Sequence, residues 1–261
     1  MSEEGGVSKT QAKRALKRQR IDEKYRKRKE EKKNKKETQN RLNVEDSPKI
    51  VDGIRAIRQE RNAMFRADFE SRCEHGPVVV IVCDWGDKMS DKETLSLIQQ
   101  IMYSYSTNKN SETPVRLWIV GASPKQQELL RKLPGFDTWH MLVTDKTVAE
   151  LGLSSDAVYL TADSEDTLDI EEVDSNTTLI IGGIVDRNRY KNATLQRAES
   201  IGLRTAQLPI GEFMSLKTSK VLTVNHVVQI LVDVLGHHDW KRALDHVIPD
   251  RKRDEVDNLP S

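Results

Sequence analysis

From residue 77 onward, short β-branched runs alternate with longer amphipathic segments, and this alternation most constrains the fold. "VVVIVCDW" over 78–85 is almost wholly apolar, so it reads as a strand buried on both faces. "VRLWIVG" (115–121), "HMLVT" (140–144), "AVYLTA" (157–162), "TLIIGGIV" (178–185) and "RTAQLPI" (204–210) read as further strands. Helical patterns lie between and after them. Residues 90–107 open with Ser90 and carry Glu93 three positions on, the signature of a capping box. Residues 123–133 place Pro124 at the first helical position. Residues 192–202 close on Gly202, and 223–238 and 239–248 complete the series. Strands separated by helices pair in parallel, so an α/β domain is predicted, with a mainly parallel sheet flanked by helices. Ligands of such sheets sit beyond the carboxyl ends of the strands. "GGIVDRNRYK", "LPIGEF" and "KVLTVNH" fall there.

Charge divides the chain differently. The formal net charge of +1 conceals a basic arm: residues 9–36 hold 15 Lys/Arg against 4 Asp/Glu, a net of +11. Residues 37–261 are acidic overall, at −8. The arm has no Gly or Pro and too few apolar residues to cover a core, so it reads as disordered or as a fraying solvated helix. A polycation of this kind suits a polyanion, and RNA is the expected partner; the same charge suits a nuclear-import signal. Residues 49–76 form a helical extension with Ile50, Ile54, Ile57, Met64, Phe65 and Phe69 at helix-like spacing. The expected organisation is therefore an arm and linker over 1–48, the extension over 49–76, the α/β domain over 77–250 and a polar, fraying tail over 251–261.

Other signatures are missing. Cys73 and Cys83 form no CxxC pair and make no zinc spacing with the histidines, so no metal site is expected. Cys83 lies inside an apolar run and reads as a buried, reduced thiol. No apolar stretch is long enough to span a membrane, and "MSEEGGVSK" lacks the apolar core of a secretory signal. A soluble, reducing, intracellular setting is expected. GxxxxGK[ST] is missing, and Gly182 and Gly183 are adjacent inside a strand rather than spaced as GxGxxG. A P-loop or classical dinucleotide fold is disfavoured. On the residues alone, the glycine pair reads first as a bulge in an ordinary strand.

The stretches "MSDKETLSL", "YLTADS", "IIGGIVDRNRYK", "RTAQLPIGEF", "VLTVNHVVQIL" and "DWKRAL…IPDRK" stand in this order over residues 78–249. Together they resemble the tRNA methyltransferases that modify N1 of the purine at position 9, members of the SPOUT superfamily. The arm "SKTQAKRALKRQR" resembles that family's basic N-terminus. The resemblance implies a C-terminal trefoil knot whose loops form a pocket for S-adenosylmethionine. It places Gly183 against the cofactor, followed by Arg187, Asn188, Arg189, Tyr190, Lys191 and then Leu195. It adds Leu208, Gly211 and the run Lys220, Val221, Leu222, Thr223 and Asn225, with Leu160 and Thr161 as a further wall. A helix-cap role for Asn225 is an equal expectation, and His226 is expected to be a satisfied structural histidine.

Asp186 carries the chemistry this resemblance implies. Neutral guanine bears a hydrogen on N1, so methyl transfer there requires a base. A carboxylate is weak in water, and burial strengthens it. A competing reading makes Asp186 the N-cap of the helix that follows. Whether it removes the proton or only orients the guanine stays open at this level. The resemblance also implies a monomer acting on tRNA. Phosphates would be held by the arm, through Lys13, Arg14, Lys17, Arg18 and Arg20, and by Arg187 and Arg189 at the site. The implied product is 1-methylguanosine at position 9, with adenine-9 as alternative acceptor and a non-catalytic RNA-binding member as the second class. Nucleus and cytoplasm are the expected locations.

Overall fold

The computed structural model describes residues 23, 27, 29–33, 48–153, 156–187, 189–217 and 220–253. The chain divides into two compact units, Met1–Met64 and Phe65–Ser261. In the first unit, residues 29–33 of the arm are helical, and Lys27 pairs with Glu23 at 3.4 Å. Lys13, Arg14, Lys17, Arg18 and Arg20 lie outside the described residues, as do residues 254–261. Helix α1 (Pro48–Cys73) contains the boundary between the units.

The second unit is built on six parallel strands: β1 (Val78–Val82), β2 (Arg116–Val120), β3 (Leu142–Val143), β4 (Val158–Leu160), β5 (Thr178–Gly182) and β6 (Arg204–Ala206). Their spatial order is β3-β2-β1-β5-β4-β6. The central β1 pairs on both sides, Val78 opposite Arg116 and Thr178, Val82 opposite Val120 and Gly182. The predicted parallel α/β sheet is what forms. All five β1 residues are buried, as an unbroken apolar run requires.

The helices are α2 (Asp91–Lys109), α3 (Pro124–Arg131), α4 (Ala193–Ser200), α5 (Ile210–Phe213), α6 (Val224–His237) and α7 (Trp240–Val247). They bury the two faces of the sheet unequally. Val79, Ile81, Leu117, Ile119, Leu179 and Ile181 form one core with Leu97 and Ile101 of α2 and Val228 and Leu231 of α6. Val78, Val80, Val82, Tyr159 and Ile180 face the other way and meet Ala198 of α4. Each fully buried aliphatic side chain contributes roughly 1.5–3 kcal/mol, so these layers dominate stability.

Helix ends follow the sequence closely in the scaffold. Ser90 Oγ accepts from Glu93 N at 3.4 Å, and Ser90 N donates to Glu93 Oε2 at 2.9 Å. Ser123 and Gln126 repeat the box on α3, with Pro124 at its first position. Gly202, at φ +69°, closes α4, and Leu203 N donates back to Ala198 O at 3.0 Å. Strands β3 and β4 are shorter than expected, and three further boundaries differ. Strand β5 stops at Gly182; Gly183 N still donates to Val82 O at 2.8 Å before the chain leaves the sheet. Strand β6 stops at Ala206, because Pro209 has no N–H to offer and instead precedes α5. The start of the polar tail does not fray. Asp250–Lys252 is a 3-10 turn, Arg253 bridges to Leu216, and its guanidinium meets Asp245 at 2.9 Å.

Candidate active site

Parallel strands bring all their carboxyl ends to one edge. There, beyond β4, β5 and β6, lies an open pocket with a cavity volume of about 120 Å³. Leu160, Thr161, Ala162 and Asp163 form the wall after β4. Ile181, Gly182, Ile184, Asp186 and Tyr190 form the wall from β5 and its loop, and Ala193 and Thr194 extend it onto α4. Gln207, Leu208 and Ile210 close a third side, with Lys220, Val221, Leu222 and Val227 opposite. The lining is mainly apolar, with a few polar groups, the usual composition of a small-molecule site.

The glycine pair separates into two roles. A Cβ on Gly183 would lie 2.6 Å from Val82 O and 2.9 Å from Ile81 Cγ2. Gly183 is therefore a packing glycine that presses the chain onto β1; the pocket-lining glycine is Gly182. A Cβ on Gly182 would lie 2.6 Å from Thr194 Cγ2 and 3.2 Å from Trp85 Cζ2. Thr194 Oγ1 in turn lies 2.7 Å from Thr161 Oγ1, tying the α4 wall to the β4 wall. Gly211 does not line the pocket, but a Cβ there would crowd Lys220 Nζ at 3.0 Å.

Asp186 is buried, and it lines the pocket. Its Oδ2 accepts from Tyr190 N at 2.9 Å, and its carbonyl accepts from Arg189 Nε at 2.9 Å. The residue next to it, Arg187, takes a left-handed φ of 54°, which turns the loop back on itself. Asp186 is not the cap of α4. That place belongs to Asn192, at φ 56° and with no side-chain cap bond. The carboxylate thus organises its own loop rather than the helix.

Of the residues expected around the cofactor, Leu160, Thr161, Tyr190, Leu208, Lys220, Val221 and Leu222 line this pocket together with Asp186. Gly183, Arg187, Arg189, Lys191, Leu195, Thr223 and Asn225 do not line it, and Asn188 lies outside the described residues. Arg189 is turned away to Glu93 Oε2 at 3.0 Å and Lys88 O at 3.3 Å. Asn225 is no cap: its Oδ1 accepts from Thr223 Oγ1 at 2.9 Å. Lining residues that sequence reading did not single out include Gly182, Asp163, Thr194, Gln207, Ile210 and Val227. A strand-end glycine adjacent to the chosen one was the signal available for the first.

Burial pushes the Cys83 thiol up to about 12, with Asp84 adding to it, and burial does the same to Cys73. Neither is a nucleophile at neutral pH. His226 is half-buried, and desolvation, with Lys252 behind it, lowers its pKa below 6.5. Its Nδ1 is buried without a hydrogen-bond partner among the described residues, so it is not the satisfied histidine expected. Among the described residues no cluster of His, Cys, Asp and Glu suits a metal ion, and no helix is long and apolar enough to cross a membrane.

Known proteins resemble this chain in sequence and fold. A relative from Eremothecium gossypii, a tRNA (guanine(9)-N1)-methyltransferase, is 37% identical over 187 residues, covering 70% of this chain. The match spans 62% of that relative's own length, less than two thirds. The Kluyveromyces lactis protein of the same name is 31% identical across 97% of this chain and 84% of its own. A crystal structure of full-length spTrm10 with SAH superposes with a TM-score of 0.61 at 36% identity, covering 67% of this chain and 95% of that one. The family profile described as tRNA (guanine(9)-N(1))-methyltransferase TRM10/TRM10A matches residues 5–253. With that profile matching nearly the whole chain and the fold shared with a solved structure, the chain belongs to this methyltransferase family.

Proposed function

We propose that the chain is an S-adenosylmethionine-dependent tRNA methyltransferase that forms 1-methylguanosine at position 9. The observation that carries the reading is Asp186, a buried carboxylate on the wall of the mainly apolar pocket at the carboxyl ends of β4 to β6. The pocket suits the cofactor chemically. Leu160, Leu208 and Leu222 offer apolar faces to a flat purine, and Asp163 and Gln207 offer acceptors for ribose hydroxyls. S-adenosylmethionine supplies an electrophilic methyl carbon on a sulfonium, so no further Lewis acid is needed to activate the leaving group.

The chain's own residues supply orientation and a base. Asp186 accepts the N1 proton of guanine, and the Tyr190 N–H fixes the carboxylate's direction. Thr161 and Thr194 hold two pocket walls together across their 2.7 Å contact. Alignment of this kind can contribute roughly 7–11 kcal/mol to a bimolecular step. Residues 77–250 form the catalytic domain in this reading. The knot belongs to it too, supported by β4 lying between β5 and β6 while segments after β5 and after α5 border one pocket. The arm's Lys13, Arg14, Lys17, Arg18 and Arg20 bind tRNA phosphates and serve nuclear import, and the protein acts as a monomer in nucleus and cytoplasm.

Primer extension on unmodified transcripts bearing G9 or A9, incubated with protein and S-adenosylmethionine, tests this directly. A stop at G9 alone is expected. A stop at A9 shifts the acceptor, and transcript binding without a stop at either supports the non-catalytic class.

A further inference from the structure

Arg197 sits on α4, one turn beyond Thr194, and reaches back to the end of β1. Its Nη1 donates to the Asp84 carbonyl at 3.1 Å, and its Nη2 pairs with Asp84 Oδ2. Its guanidinium lies 4.9 Å from the centre of the buried Trp85 ring, whose Nε1 donates to Val82 O at 2.9 Å. Two glycines make room for the group. Gly121 has φ +69°, and a Cβ there would lie 2.6 Å from Asp84 Cβ; Gly182 leaves space for Trp85 and Thr194.

The contacts continue to the pocket. Lys88 Nζ lies 5.5 Å from the Trp85 ring and 5.6 Å from the Tyr190 ring. Tyr190 N holds the Asp186 carboxylate. One connected path of charge and aromatic contact therefore runs from Asp84 through Arg197, Trp85, Lys88 and Tyr190 to Asp186.

Asp84 makes this path sensitive to Arg197. Its side chain is 22% exposed, and its Oδ1 is buried with no hydrogen-bond partner among the described residues. Arg197 is the partner of the other oxygen. Removing the guanidinium leaves a largely desolvated carboxylate uncompensated, which drives rearrangement rather than a simple gap. The group that moves first is Trp85, under the guanidinium, and it packs beside Gly182 of the pocket wall, which in turn adjoins Thr194.

We propose that Arg197 is a positioning residue for methyl transfer, holding Asp84 and Trp85 so that Thr194 and Asp186 keep their places on the pocket walls. This rests on the methyltransferase reading. The test uses the full chain with Arg197→Met, Arg197→Lys and the neutral pair Asp84→Asn with Arg197→Gln. Circular dichroism checks folding, titration with S-adenosylhomocysteine reads the pocket, and single-turnover transfer to the G9 transcript at saturating S-adenosylmethionine reads chemistry. Arg197→Met is expected to fold, to bind S-adenosylhomocysteine more weakly and to lose about 10²-fold in single-turnover rate, the scale of an ångström's misplacement. Arg197→Lys is expected to recover melting temperature but little of the rate, since a point charge lacks the planar fork.

Wild-type affinity and rate in Arg197→Met overturn the proposal. So does Arg197→Lys restoring rate and melting temperature together, which marks a merely structural role. If Arg197→Met does not fold, Arg197→Lys and the neutral pair decide: wild-type affinity and rate in both overturn the proposal, and losses in both support it. Wild-type protein that binds S-adenosylhomocysteine but methylates neither transcript overturns the methyltransferase reading instead. The titration then still reads the position of the Thr194 wall in each variant.

Discussion

Helices α2 and α3 close their own N-termini with side chains, while α4 and α6, which begin beside the pocket, do not. Ser90 with Glu93 and Ser123 with Gln126 satisfy backbone N–H groups that the first turn of a helix leaves open. Asn192 and Thr223 make no such bond. The scaffold is thus finished locally, by residues three apart in sequence. The site half is finished by distant contacts, such as Thr194 on Thr161 and Arg197 on Asp84. Local closure gives stability without function; distant closure leaves walls that a ligand and a base can share.

The largest effect should come from the site half. Asp186→Asn removes the base while keeping the acceptor of the Tyr190 N–H, so single-turnover methyl transfer should fall by roughly 10²–10⁴-fold. S-adenosylhomocysteine binding should hold; a variant with the wild-type rate from acid to alkaline pH removes Asp186 as base. Next comes the glycine pair. Gly183→Ala forces a Cβ against Val82 O and should cost about 1–3 kcal/mol in chemical denaturation. Gly182→Ala meets the Thr194 and Trp85 side chains rather than backbone, pushes on the pocket wall, and should mainly weaken S-adenosylhomocysteine binding. Equal losses of stability in the two would erase the distinction between packing and pocket glycine.

Smaller effects test the caps. Ser123→Ala should cost about 1 kcal/mol of stability with the transfer rate per folded molecule unchanged. Thr223→Ala should stay within about 0.5 kcal/mol, and a cap-sized loss there breaks the comparison. Glu93 gives the pH counterpart. Hydrogen bonds from the Ser90 backbone and hydroxyl, with Arg189 nearby, hold its pKa below the ordinary 4.5. A lowered acid favours the folded state above 4.5, and that contribution disappears as pH falls through the folded value. Glu93→Gln should therefore flatten the acid limb of a stability-versus-pH curve; an unchanged limb would assign the acid sensitivity elsewhere.

These two halves were not equally legible in the sequence. Apolar runs, capping boxes, Pro124 and Gly202 carry local physics, so the sheet and the scaffold helices could be read from spacing. Asp186 and the walls at Leu160, Leu208 and Lys220–Leu222 were reached through resemblance to a family, and they do meet in one pocket. Gly182, not Gly183, lines the pocket, and spacing could not tell the two apart because adjacent residues on a strand face opposite sides, with nothing local to say which side holds a ligand. Arg189 was assigned to RNA or cofactor, yet its partner Glu93 lies on another helix, a pairing only the tertiary structure reveals. The short β6 and α5 followed from Pro209, whose missing N–H was visible and underweighted.

Strand β1 sits in the middle of the sheet and takes one of its two neighbours from far along the chain, Val78 lying opposite Thr178. On a ribosome, that apolar strand emerges well before β5 exists to cover its second edge. An uncovered, uncharged edge of five apolar residues is an aggregation hazard for as long as it waits. Closing long loops before any contact rewards them also makes such sheets slow to fold. Cells making this protein quickly should therefore depend on chaperones that shield nascent strands, more than its finished surface would suggest.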